Sequence, residues 1–280
     1  MLKLRDGIVE LYRKVATSIP PDVEAALKNA YASEESSRRK ESLAAILENI
    51  RTARQSVQPV CQDIGVPVFA VKIPRGLSHI EMRNTVREAT VMATEKVPLR
   101  PSAVDILTDK NSGDNTGIGF PIIYLEETAD DTLKIDLMLR AYGCENSGQT
   151  YRLPNEELNA PSDLEGVRAC VLDAVMKTKG EGCPPYILGI GIGAADDQVS
   201  VLAGQQLFRK LNDSSELPAI GELEKRLLDE INRSGEGSQG LGGKASALGV
   251  KIGVNHRHTS SYCVSVSVSC WACRRARLIW

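Results

Sequence analysis

The chain has 280 residues, with 34 Lys plus Arg against 36 Asp plus Glu and a formal charge of -2. That near-balance argues against a protein whose main task is to coat nucleic acid or an anionic membrane. With 42% hydrophobic and 25% charged residues it is not a disordered chain, and with 4% aromatics its core must rest on Val, Ile, Leu and Ala.

No run of about 18 apolar residues marks a membrane span. The opening MLKLRDGIVELYRK is charged throughout and lacks the apolar centre of a secretory signal, so a cytoplasmic protein is expected. Residues 1–56 read as a helical region. Ile8, Leu11, Tyr12 and Val15 fall at helical spacing, Pro20-Pro21 breaks the pattern, and a second helix starts near Asp22. A charged third segment, about 33–54, carries an apolar stripe of Leu43, Ile46, Leu47 and Ile50.

Character changes at Pro59. Residues 67–73 form a β-branched strand candidate, 79–95 a helix, and 110–117 a turn cluster. Two strands follow, 120–126 and 132–139, the second alternating through Leu133, Ile135, Leu137 and Leu139. A helix is predicted over 163–179 with Ser162 as its N-cap, a buried-type strand over 186–192, and helices over 199–211 and 220–234. After a glycine-rich stretch come residues 248–254. A final strand follows in which Val264, Val266 and Val268 alternate with serines, ahead of a basic tail. Helices first, then mixed strands and helices, predict an α+β fold: a helical layer at 1–56 and a mixed α/β region at 57–280, together one domain.

Two glycine-rich places invite a nucleotide reading. A dinucleotide fingerprint begun at Gly191 would need glycine at 196, where Asp196 stands and would repel a pyrophosphate. Gly242-Gly243-Lys244-Ala245 hints at a P-loop, but Ser238 replaces the first glycine and Ala245 cannot ligate magnesium. Both are read as tight turns.

Seven cysteines, Cys61, Cys144, Cys170, Cys183, Cys263, Cys270 and Cys273, are spread along the chain without disulfide-framework spacing. Cys170 sits among apolar helix positions and reads as core. Cys61, Cys183 and Cys270 stand at element ends, where side chains can converge on a cleft. The single C-x-x-C pair, Cys270 with Cys273, is too little for a zinc ribbon. Three separated thiolates suit an iron–sulfur cluster with one open iron, the alternative being scattered buried cysteines.

From Cys61-Gln62-Asp63-Ile64-Gly65 onward the chain resembles the class I, iron–sulfur-dependent fumarate hydratases and L-tartrate dehydratases, specifically their alpha subunit. The likeness continues through Leu99-Arg100-Pro101-Ser102, Asn111 to Asn115, Gly143-Cys144-Glu145-Asn146 and Cys183-Pro184-Pro185-Tyr186 with its Gly-Ile-Gly-Ile-Gly run. Gly240 to Lys244, His256-Arg257-His258 and Ser267 to Cys270 complete it. Several blocks in the right order are far more specific than any one of them.

The resemblance implies a [4Fe–4S] cluster held by Cys61, Cys183 and Cys270. It also implies substrate contacts from Gln62, Arg100 and the Gly143 turn, with catalytic roles for Asp63 and His258. Strand parity does not choose between His256 and His258; the family likeness chooses His258. Cys144 is read as a non-ligand. It implies, too, a beta subunit supplying the rest of the site, in an α2β2 assembly, and reversible dehydration of a hydroxy-dicarboxylate (malate to fumarate, or L-tartrate to oxaloacetate). The sequence does not separate those substrates. Relatives carry a lysine and three glycines before the G-x-E-N turn, where this chain has Arg140-Ala141-Tyr142-Gly143, so the fit of that loop to substrate is altered. Two other classes compete: a dinucleotide-dependent oxidoreductase and a non-catalytic scaffold.

Overall fold

The computed structural model describes residues 2–178, 182–235 and 241–280. Among them are eight helices and eight strands: α1 (Leu2–Thr17), α2 (Pro21–Ser33), α3 (Ser37–Ser56), β1 (Val66–Pro74), α4 (His79–Lys96), β2 (Ile122–Thr128), β3 (Lys134–Arg140), α5 (Tyr142–Glu145), β4 (Gln149–Arg152), α6 (Leu164–Thr178), β5 (Tyr186–Gly193), α7 (Asp196–Gln206), α8 (Pro218–Ser234), β6 (Ala247–Val254), β7 (Cys263–Ser269) and β8 (Arg274–Ile279). The fold is α+β, as expected. None of the described helices is long and apolar enough to cross a membrane.

The chain forms two compact units. Unit one takes residues 1–20, 48–142 and 272–280; unit two takes 21–47 and 143–271. The expected helical region at 1–56 is helical, but its helices are divided between the units, α1 with the first and α2 with the second. The physical reason is that each apolar stripe needs a sheet to cover, and two sheets are present.

In unit one the sheet runs β2-β1-β3-β8, with β1 parallel to β2 and antiparallel to β3, and β3 antiparallel to β8. Leu133, Ile135, Leu137 and Leu139 are all buried, as their alternation predicts, and pack with Tyr12, Phe69 and Met82. The Tyr12 hydroxyl is paired at 2.8 Å with Thr90 Oγ1, and its ring meets Phe69 edge-on at 5.7 Å. Burial pushes the Tyr12 pKa far up, so this phenol stays neutral. The basic tail is not a tail. It forms β8, the outer strand of the sheet, with Arg274 and Arg275 buried.

In unit two the order is β4-β7-β5-β6, with β5 parallel to β6 and antiparallel to β7. Every residue of β5 is buried. Its glycines are not tight turns: Gly189 and Gly191 lie inside the strand. A Cβ on them would stand 2.2 Å from the carbonyl oxygens of Ala203 and Val199 in α7. They are glycines because a helix backbone crosses the strand there, which leaves no cradle for a pyrophosphate. Helix α7 itself starts at Asp196, three residues before the expected 199, and Asp196 pairs with Arg152 rather than facing a ligand. The cap of α6 is Asp163, not Ser162: its carboxylate accepts from Glu165 N at 2.9 Å and Gly166 N at 3.0 Å.

Gly242 and Gly243 have φ of +80° and +133°, so the turn reading holds there; Ser238 and Gly240 lie outside the described residues. That turn is clamped by Glu34, whose buried carboxylate accepts from the amides of Glu35, Ser36 and Lys244. Burial alone would raise the Glu34 pKa. The backbone donors from Ser36, Lys244 and Glu35, with the nearby Arg39 charge, outweigh it and hold the carboxyl below its ordinary value. A lowered folded-state pKa stabilises the protein above the unfolded-state pKa, and that contribution is lost as pH falls through the folded value. Glu34→Gln is therefore expected to cost about 1 kcal/mol at pH 7. It should also flatten the loss of stability below pH about 4.5. Urea melts of both proteins across that range check it; parallel pH profiles would contradict it.

Candidate functional site

Cys183 and Cys270 come together in unit two because β5 and β7 are antiparallel neighbours. Ile187 near the start of β5 is opposite Ser269 at the end of β7. Cys183 precedes the first strand and Cys270 follows the second, so both stand at one end of the sheet. The Trp271 amide donates to the Cys183 carbonyl at 3.4 Å and ties the two turns. Cys183 holds φ at +55°, a left-handed conformation costly for a residue with a Cβ, and the cis Pro184–Pro185 peptide follows. Cys183 is half-buried and Cys270 buried.

Cys61 belongs to unit one, in the turn before β1, and is half-buried. Gln62 is exposed and Asp63 half-buried. Gly65 ends the turn with φ +79°, and a Cβ there would stand 2.0 Å from the Arg140 carbonyl oxygen. Only glycine lets the turn lie against the end of β3. The Gly65 carbonyl also accepts from Ser102 Oγ at 3.1 Å.

Asn115 organises this part of unit one. It is buried with φ +58°, its Oδ1 accepts from Ser102 N at 2.7 Å, and its Nδ2 donates to the Arg100 carbonyl at 3.3 Å. The Arg100-Pro101-Ser102 turn, the Cys61–Gly65 turn and the 111–115 loop are thus one hydrogen-bonded assembly. Arg100 itself is exposed, free to swing its guanidinium toward an anion. The sequence reading missed Asn115 as a hub. Its signal was an asparagine in a glycine-bounded turn cluster, where a left-handed residue with a polar side chain is favoured.

Arg274 was also missed. It is fully buried, its Nη2 donates to the Asp63 carbonyl at 2.7 Å, and its Nε and Nη1 have no hydrogen-bond partner among the described residues.

Not every sequence candidate gathers. His258 lies in the loop that precedes β7, whereas Cys270 follows that seven-residue strand, about 23 Å further along. It is exposed and accepts from Ser260 N at its Nδ1 (3.2 Å). His256 is exposed too, and His79 opens α4 at the surface. Gly143 is exposed; the side chain of Cys144 lies outside the described residues. Tyr142 packs under the Arg140 guanidinium at 5.4 Å.

Cys170 is core, buried among the apolar residues of α6: burial first, and Asp173 second, push its thiol up to about 11, which keeps it protonated. Burial raises Cys263 as well. No group of three or more His, Cys, Asp or Glu among the described residues is arranged to hold a single metal ion. Ligands of a cluster bind different irons, so their sulfurs stand further apart than those of a mononuclear site.

A sequence profile for the family described as "Fumarate hydratase (Fumerase)" matches residues 5–279. The chain belongs to the fumarate hydratase family. It is 39% identical to a protein of Geobacillus stearothermophilus provisionally named a class I fumarate hydratase, across 98% of this chain and 54% of that protein. It is 38% identical to a provisionally named L(+)-tartrate dehydratase subunit alpha of Methanocaldococcus jannaschii, over 98% of this chain and 96% of that one. The L(+)-tartrate dehydratase subunit alpha of Escherichia coli K12 is 33% identical, over 99% and 90%. This fumarate hydratase family chain therefore spans about half the length of the Geobacillus relative and nearly all of the two alpha subunits.

Proposed function

We propose that this chain is the alpha subunit of an iron–sulfur hydro-lyase that reversibly dehydrates a hydroxy-dicarboxylate, malate or L-tartrate. A beta subunit supplies the rest of the site in an α2β2 assembly. The cytoplasm is its compartment, where thiols stay reduced. The observation that carries the reading is the tie between the Cys183 and Cys270 turns at one end of the β5–β7 pair, in a chain of this family. It turns two cysteines 87 positions apart (270 minus 183) into neighbours, as a shared cluster requires.

The donor set fits a [4Fe–4S] group held by Cys61, Cys183 and Cys270. All three precede or follow strands on turns fixed by backbone hydrogen bonds or a glycine, and soft thiolates suit iron–sulfur ligation. When bound, such a cluster supplies an open iron that acts as a Lewis acid on a hydroxyl and a carboxylate oxygen.

The chain's own residues do the remaining work assigned to this half. Arg100, exposed on a turn pinned by Asn115, pairs its planar fork with a substrate carboxylate. The exposed Gln62 amide hydrogen-bonds the substrate, and the Gly143 backbone approaches it. Asp63 carries the local carboxylate for proton movement or orientation of water. His258 is assigned to the substrate by the family likeness alone: its loop precedes β7, about 23 Å along that strand from Cys270, which is farther than one dicarboxylate spans.

The test is anaerobic co-expression with the beta chain, followed by iron and sulfide analysis and assays with malate, fumarate and L-tartrate. The expected result is a brown complex with about four irons per alpha chain and dehydration of one or more of these acids. A colourless complex whose iron stays near zero after anaerobic reconstitution sinks the reading and favours the scaffold.

A further inference from the structure

A buried guanidinium is always charged, and leaving it without counter-charge or full hydrogen bonding is costly. Arg274 is in that position. Its side chain is entirely shielded, and of its three nitrogens only Nη2 finds an acceptor, the Asp63 carbonyl, at 2.7 Å. No carboxylate among the described residues pairs with it. The contrast with Lys251, another buried cation, is plain: in unit two it meets both the Asp213 carbonyl at 2.5 Å and its carboxylate at 3.0 Å. The strand around Arg274 does not explain the cation either. Its β3 partner is Leu139, and a buried apolar residue would serve that ladder as well.

What singles the residue out is its hold on the Cys61–Gly65 turn. The hydrogen bond to Asp63 lies two residues from Cys61, so the fixed positive charge stands against the turn that presents that sulfur. An anion at the turn would supply the acceptor and counter-charge that Nε and Nη1 lack.

We infer that Arg274 is a positioning residue for the cluster: a fixed buried cation that holds the Cys61 turn through the Asp63 carbonyl and offsets the negative charge of the thiolate-held group there. The inference rests on the proposed cluster reading. Three thiolates on a doubly charged cube leave the assembly anionic, and nearby charge and hydrogen bonding tune the stability and potential of such a group. In the apoprotein the same cation is a liability.

The experiment uses the anaerobically prepared complex with wild type, Arg274→Met and Arg274→Lys. Apoprotein melting, the rate of iron loss to a chelator and the cluster reduction potential are measured. Arg274→Met is expected to leave apoprotein melting unchanged or raised, to speed iron loss at least about tenfold, and to lower the potential. Arg274→Lys is expected to bring the potential back toward wild type. If Arg274→Met loads and keeps its cluster at the wild-type rate and potential, the inference fails while the cluster reading stands. Should Arg274→Met melt lower, the lysine variant decides: recovery of potential and retention supports the charge role, and no recovery overturns it. A wild-type complex that takes up no cluster brings down reading and inference together.

Discussion

Replacing Cys270 with serine is expected to abolish bound iron and lower dehydration of malate or tartrate by more than about a hundredfold. Loss of an outer-shell partner of a metal site already costs about 10–100-fold, and a lost ligand costs more. Cys183→Ser should behave alike, because the Trp271 amide joins the two turns and the proposed cluster, missing either thiolate, would lack one of its three anchors. The informative control is Cys170→Ala. That thiol is buried in α6 and held neutral, so its loss should lower the melting temperature and leave iron per chain unchanged. Iron and sulfide analysis of the three variants, with circular dichroism to confirm folding, decides. Equal iron in wild type and Cys270→Ser would end the ligand assignment.

Gly65→Ala carries the second large effect, this time on the fold. The new Cβ would stand 2.0 Å from a carbonyl oxygen and 2.9 Å from the next amide nitrogen, in a backbone with φ +79°. Neither neighbour is a flexible side chain that could yield. Overpacking of this kind costs about 1–3 kcal/mol. The left-handed conformation adds about 1–2 kcal/mol. A loss of about 3–4 kcal/mol corresponds to a fall of roughly 10 °C in melting temperature for a unit of this size. Gly76→Ala is the matched comparison: its φ is +84°, yet a Cβ there meets nothing within 4 Å. It pays the conformational term alone and should lose about 1–2 kcal/mol. If both variants melt alike, contact with the Arg140 carbonyl does not hold the turn. Gly65→Ala should also weaken iron binding where it still folds, because the turn that bears Cys61 must shift.

The sequence determined the elements whose cause is local. Period-2 alternation from Leu133 to Leu139 and helical spacing from Ile8 to Val15 each place one face in a core, and all of those residues are buried. The blocks around Cys61, Arg100, Cys183 and Cys270, in their order, were enough to point to the family. Where a local signal has two meanings, the sequence reading does not settle between them: residues 186–192 read as a buried strand, yet the glycines within it also read as a turn. Gly189 and Gly191 read as a turn because glycine is a turn residue, but a helix backbone 2.2 Å from their absent Cβ atoms is the actual reason. Arg274 and Arg275 read only as part of a basic tail, and pairing with β3 buries them.

Only the tertiary structure could decide what lies next to what. Antiparallel pairing of β5 with β7 brings Cys183 beside the Cys270 turn and puts the His258 loop at the other end of the same strand. Asn115 ties the 111–115 loop to the turn at 100, and Ser102 Oγ carries the tie on to the Cys61 turn, roles invisible in any one of those segments. The reason is physical: residue type and spacing encode faces and turns, which depend on near neighbours along the chain. The convergence of distant turns depends on strand order and register, which are set when whole sheets bury their apolar faces.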